Sequence, residues 1–125
     1  MRREIITTDR IAPSVGPFSA AVRAGDLLFL SGQVALDAAT GKLIAGDIGA
    51  QTEQIFANIS AVLEAAGKSF DDVMKTTVYL ADIKDFAAMN TVYARHFQTP
   101  YPARTTIQAA ALPLGAGVEI EVLAR

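Results

Sequence analysis

The sequence contains no cysteine. Disulfides, thiolate zinc sites and cysteine nucleophiles are therefore excluded, and the chain suits a reducing compartment. Histidine is almost as scarce, His96 being the sole one. It falls near the end of a predicted helix, where a contact with the helix dipole outweighs catalysis. Long apolar runs are missing as well. The longest, Ala109 to Val118, is interrupted by Pro113 and two glycines and falls short of the roughly 20 residues a bilayer-spanning helix needs. Met1-Arg2-Arg3-Glu4 leads into a polar stretch with no signal-peptide core, so a soluble, cytoplasmic protein is expected. Basic clusters are limited to Arg2-Arg3, and the net charge of −2 with a pI near 5.3 argues against nucleic acid as a partner. Asp71-Asp72 lacks further carboxylates at ligand spacing and reads as a turn rather than a metal site.

Apolar residues, by contrast, are plentiful. They make up 51% of 125 residues, with a mean hydropathy of +0.30. The length sets one domain, residues 1–125, able to bury about two-thirds of its unfolded surface. The apolar surplus calls for a subunit interface or an apolar cavity, and an interface is the expectation.

Taken in order, Glu4 to Thr7 predicts a short strand. Pro13, Gly16 and Pro17 then hold an extended loop that presents Phe18, either a core aromatic or a pocket wall. Ser19 to Arg23 and Leu27 to Gln33 read as strands joined at Ala24-Gly25-Asp26. The second ends at Ser31-Gly32-Gln33, where Gly32 marks a bulge or a backbone N–H turned to a ligand. Asp47 is placed to cap a helix whose apolar face runs Ile48, Ile55, Ile59, Val62, Leu63 and Ala66, stopped at Gly67. Val73 to Leu80 is the clearest strand. Asp82 or Asp85 then caps a second helix with the stripe Ile83, Phe86, Met89, Tyr93 and Phe97, and Asn90 sits at its margin, in need of partners. Two late strands, Pro102 to Ile107 and Val118 to Leu123, close the order. The pattern predicts an α+β domain with two helices packed on one face of a mixed sheet.

Each late strand holds a charge among small or apolar neighbours: Arg104 in Pro102-Ala103-Arg104-Thr105-Thr106-Ile107, and Glu119 in Gly117-Val118-Glu119-Ile120-Glu121-Val122. A lone buried charge is costly, so the readings are a cross-strand ion pair on adjacent strands, solvated strand edges or a bound ligand. A guanidinium fork suits a substrate carboxylate. Glu119 would repel that same anion, so its useful role is to take a proton from water. An apolar wall would raise its pKa and Arg104 would lower it.

The Arg104 and Glu119 segments, together with Gly16-Pro17-Phe18-Ser19, Ser31-Gly32-Gln33 and Asp85-Phe86-Ala87-Ala88-Met89-Asn90, resemble the RidA/YjgF reactive-intermediate deaminase family. The resemblance runs from about the first strand to the last. It implies a chorismate-mutase-like fold, a homotrimer with pockets between subunits, and hydrolysis of reactive 2-imino or 2-enamino acids to 2-keto acids and ammonia. No cofactor or metal is implied. Arg104 would hold the carboxylate and Glu119 would activate water, with Phe18, Ser31, Gly32, Asn90, Thr106 and Ile107 binding substrate. Three positions depart from the family pattern: Phe18 replaces Tyr, Ala20 replaces Gln, and Thr106 replaces the Cys of one branch. The alternatives are a non-catalytic trimer that binds small carboxylates and an endoribonuclease, the latter weakened by one histidine and an acidic pI.

Overall fold

Alternation along two strands sets up the architecture. In Val118–Ala124 every second residue from Val118 is buried, and Glu119, Glu121 and Leu123 between them are half-buried. Val73–Leu80 alternates likewise over most of its length. A strand with such a period has one face in a core. The computed structural model describes residues 2–125 and contains six strands: β1 (Glu4–Ile6), β2 (Ala21–Ala24), β3 (Leu27–Gln33), β4 (Val73–Leu80), β5 (Ala103–Gln108) and β6 (Val118–Ala124). They form one sheet in the order β1-β2-β3-β6-β4-β5, antiparallel except for the parallel β4–β5 pair.

Two helices, α1 (Ile48–Ala65) and α2 (Phe86–Tyr93), cover one face of that sheet. The start of α1 is fixed by Asp47, whose carboxylate accepts a hydrogen bond from the Ala50 N–H at 2.9 Å. Its end is a Schellman motif. Gly67 takes a φ of +73°, Gly67 N–H donates to Glu64 and Lys68 N–H donates to Leu63. Ile55, Phe56, Ile59, Val62 and Leu63 of α1 meet Met89 and Tyr93 of α2 in one core with Val78, Leu80, Val118 and Ile120 of the sheet. Asp71 and Asp72 are turn residues: Ser69 Oγ accepts from Asp71 N–H, and the Asp72 carboxylate accepts from Ser69 N–H. Among the described residues no helix is long and apolar enough to cross a membrane.

Two expectations need correction. The second helix is shorter than its apolar stripe: Ile83 lies in a separate 3-10 turn capped by Asp82, and Phe97 is buried beyond the helix end. Ile83 and Phe86 are exposed, 47% and 39%, so the stripe is buried only from Met89 onward. The second correction concerns the charged pair. Arg104 and Glu119 are not on adjacent strands, since β4 runs between β5 and β6. Arg104 is level with Thr76 on the helix side, whereas Glu119 is level with Tyr79 on the opposite side. No cross-strand ion pair joins them.

No helix among the described residues covers the other face of the sheet. A row of apolar residues crosses it, Ile5 opposite Val22, Val22 opposite Phe29 and Phe29 opposite Leu123. Phe29 remains 43% exposed.

Candidate functional site

Arg104 belongs to the helix side of β5. Its Nη1 donates to Asn90 Oδ1 at 2.7 Å, and its guanidinium carbon lies 4.7 Å from the centre of the Tyr93 ring and 5.5 Å from that of Phe86. Phe86, Asn90 and Tyr93 share one face of α2, being four and three residues apart. Aromatic faces hold a cation in place without consuming its N–H donors. None of the ion pairs among the described residues includes Arg104. The guanidinium therefore keeps donors for an outside anion, and it borders a cleft of about 350 Å³ with Asn90, Ala94, Tyr101 and Pro102. Tyr93 is itself anchored by a 2.8 Å hydrogen bond between its hydroxyl and that of buried Thr76, and burial raises its pKa.

Glu119 stands on the other side of the sheet and leans over β3. The β3–β6 register shifts between Leu30 and Gln33, so Ser31 and Gly32 sit at an irregularity. A Cβ at position 32 would lie 2.1 Å from Glu119 Oε2. Gly32 therefore makes room for the carboxylate at a strand irregularity, which agrees with the bulge alternative. Ser31 is fixed by its own bonds: its hydroxyl donates to Ser19 O at 2.6 Å, and its N–H donates to Ala20 O. Phe18 is 54% exposed, a wall and not a core residue. These residues and Leu114 line a cavity of about 430 Å³ in which Glu119 is the single charged side chain. Burial is the main cause that raises the Glu119 pKa, and the Glu121 charge adds to it. Arg104 does not figure among the causes. Glu121 accepts a 2.6 Å hydrogen bond from the Tyr79 hydroxyl, which in turn raises the pKa of Tyr79.

Six of the eight expected residues thus fall into two groups. Phe18, Ser31, Gly32 and Glu119 gather at one cavity, and Arg104 gathers with Asn90 at another. Thr106 shares the strand and face of Arg104, and its Oγ1 is buried with no hydrogen-bond partner among the described residues. Ile107 points to the open face, in the row Ile107, Tyr79, Glu119. The sequence reading missed Phe86 and Tyr93 as partners of Arg104; their spacing from Asn90 was visible but was assigned to the core. It also missed Leu114. His96 follows α2 by three residues; its Nε2 meets Glu53 Oε1 at 2.6 Å, and its ring stacks on Phe56 at 4.5 Å, tying this segment to α1.

Six strands in one mixed sheet with both helices on one face define a small α+β domain of the YjgF type, the fold of its structural neighbours. The chain belongs to the RidA/YjgF family: the family model described as Endoribonuclease L-PSP matches residues 7–125. A RutC family protein of Pyrococcus horikoshii is 47% identical over 122 residues, covering 98% of this chain and 97% of its own. A Capra hircus protein named 2-iminobutanoate/2-iminopropanoate deaminase is 45% identical over 122 residues, covering 98% of this chain and 89% of its own. The crystal structure of RidA from the Antarctic bacterium Psychrobacter sp. matches with a TM-score of 0.93 at 46% identity, over 98% of each chain.

Proposed function

We propose that this protein, as one domain from residue 1 to 125, hydrolyses reactive 2-imino and 2-enamino acids to 2-keto acids and ammonia. The observation that carries this reading is the division of labour across the sheet. A guanidinium without a carboxylate partner is held open on one face, and a carboxyl of raised pKa stands in an apolar cavity on the other. The name of the Capra hircus relative supports the same chemistry.

One chain keeps Arg104 and Glu119 on opposite faces, so a site using both needs two copies. We take the working form to be a homotrimer with sites between subunits, and the exposed apolar row through Phe29 supports such association. In that site Arg104 grips the substrate carboxylate with parallel hydrogen bonds. Asn90 and Thr106 steady the strand and the guanidinium beside it, and Phe18, Ser31, Gly32 and Ile107 wall the reacting carbon. Water attacks the imine carbon, the new C–O bond forms, and the C=N electron pair moves onto nitrogen. Glu119 takes the proton from water and delivers it to that nitrogen. Glu119 then moves the carbinolamine's hydroxyl proton to its amino nitrogen, the freed oxygen electron pair forms the C=O bond, the C–N bond breaks with its pair staying on nitrogen, and ammonia leaves. An enamine enters by the same route after protonation of its β-carbon. General base catalysis of this kind contributes about 10²–10⁴-fold. No metal or cofactor takes part in this scheme, and the working compartment in this reading is the cytoplasm, a reducing setting that suits a chain without cysteine.

The test is a competition assay in which an amino-acid oxidase generates 2-imino acids and semicarbazide traps them. Wild type should suppress trapping, and Arg104→Ala and Glu119→Gln should not. Carboxylate binding without suppression by wild type would instead support a non-catalytic binding trimer.

A further inference from the structure

The loop before β6 carries a strained residue. Leu114 has φ 61° and ψ 18°, the left-handed region, and is the sole non-glycine residue with positive φ among those described. Gly115 follows with φ 71° and Ala116 N–H closes the turn on Pro113 O at 3.0 Å. Leucine is ill suited to this backbone, where asparagine or glycine would sit with less strain. Its side chain gains nothing from the core, being 66% exposed. Strain of this kind persists where the surrounding structure holds it, and it clusters at binding and catalytic sites. What Leu114 does face is the cavity of Glu119, together with Val15, Phe18 and Ala20.

We propose that Leu114 is a specificity-determining residue that, with Val15 and Phe18, receives the side chain of the substrate. This rests on the imine-hydrolysis reading and names its substrate class: 2-imino acids with branched aliphatic or aromatic side chains. A cavity of about 430 Å³ with one charged group leaves room beyond a methyl substituent. That group, Glu119, is committed to water, so a charged side chain finds no ionic partner there. An apolar one is drawn out of water against leucine, valine and phenylalanine.

The experiment measures kcat/KM for imines made from leucine, phenylalanine, alanine and glutamate, using wild type, Leu114→Asn and Leu114→Met. Wild type should prefer the leucine- and phenylalanine-derived imines over the alanine-derived one by about tenfold or more, the scale on which apolar pockets discriminate. Leu114→Asn should lower that ratio by about tenfold, and Leu114→Met should keep it within about threefold. Thermal melting should show Leu114→Asn folded, since asparagine accepts the left-handed backbone. An unchanged ratio in Leu114→Asn, or a wild-type preference for the alanine-derived imine, overturns the proposal while leaving imine hydrolysis intact. A change in oligomer mass by light scattering in Leu114→Asn also overturns it, making Leu114 an interface residue. Failure of wild type on all four imines removes the hydrolysis reading itself, and this proposal with it.

Discussion

Replacing Gly32 with alanine should disable the protein while leaving it folded. The new Cβ would stand 2.1 Å from Glu119 Oε2, 3.0 Å from its Cδ and 3.2 Å from its Cγ. Non-bonded carbon contacts are comfortable at about 3.5–4.0 Å, so the carboxylate must retreat by about 1 Å or more. Gly32 is not among the glycines with positive φ, so alanine fits its backbone. The half-buried Glu119 end can turn aside at about 0.5–1.5 kcal/mol for an off-rotamer χ. Against this, alanine in a strand gains about 0.5–1 kcal/mol over glycine. The two nearly cancel, and the melting temperature should move by no more than about 5 °C. Catalysis has no such compensation. A misplacement of about 1 Å can cost about 10²-fold, which is about 2.7 kcal/mol of barrier. The semicarbazide competition assay reads kcat, and differential scanning calorimetry reads the melt. Activity within threefold of wild type, in a protein that melts normally, would refute the claim that Glu119 must lie over Gly32.

Four further outcomes are expected. Asn90→Asp would set a carboxylate 2.7 Å from Arg104 Nη1, occupying the anion site and raising KM by about tenfold or more on the scale of a charged hydrogen bond; steady-state kinetics checks this. Because burial and then the Glu121 charge raise the Glu119 carboxyl above 4.5, a base at that position should give kcat/KM an acid limb above pH 4.5, and Glu121→Gln should move that limb to lower pH. The same shift fixes a stability sign. A raised carboxyl binds its proton more tightly when folded, so its contribution is fully present below pH 4.5 and is lost as pH rises through the folded value. Glu119→Gln should therefore raise the melting temperature at pH 7 and lose that advantage at pH 4. Finally, Phe29→Asp would place a charge on the exposed apolar row, and light scattering should report subunits of monomer mass.

Much of the frame was legible because local chemistry dictates it. Asp47 and Gly67 bracket α1 by satisfying the end groups of the helix, and the alternation in β4 and β6 announces a half-buried sheet. The order of strands was not legible, because nothing in Arg104 or Glu119 tells that β4 is inserted between them. The face of Arg104 was equally hidden. β5 is an edge strand whose residues are all exposed or half-buried, so its alternation is too faint to assign sides. Asn90 was visible as a polar residue needing a partner, and its partner proved to be Arg104. Gly32 was visible as a bulge or a ligand-facing backbone, yet the group that approaches it is Glu119, 87 residues further on. Leu114 gave no signal, since Pro113 and Gly115 read as an ordinary turn whose strain falls unexpectedly on the leucine between them.

The shared site is tested by mixing two inactive subunits. Arg104→Ala and Glu119→Gln chains, each carrying a different tag, would be co-expressed, and oligomers bearing both tags purified. In a mixed trimer whose sites each take Arg104 from one subunit and Glu119 from its neighbour, one site in three is wild type. Activity should then return to about one third of wild type, although each variant alone is inactive. Mixed oligomers as inactive as their parents would contradict a site built from Arg104 of one chain and Glu119 of the next.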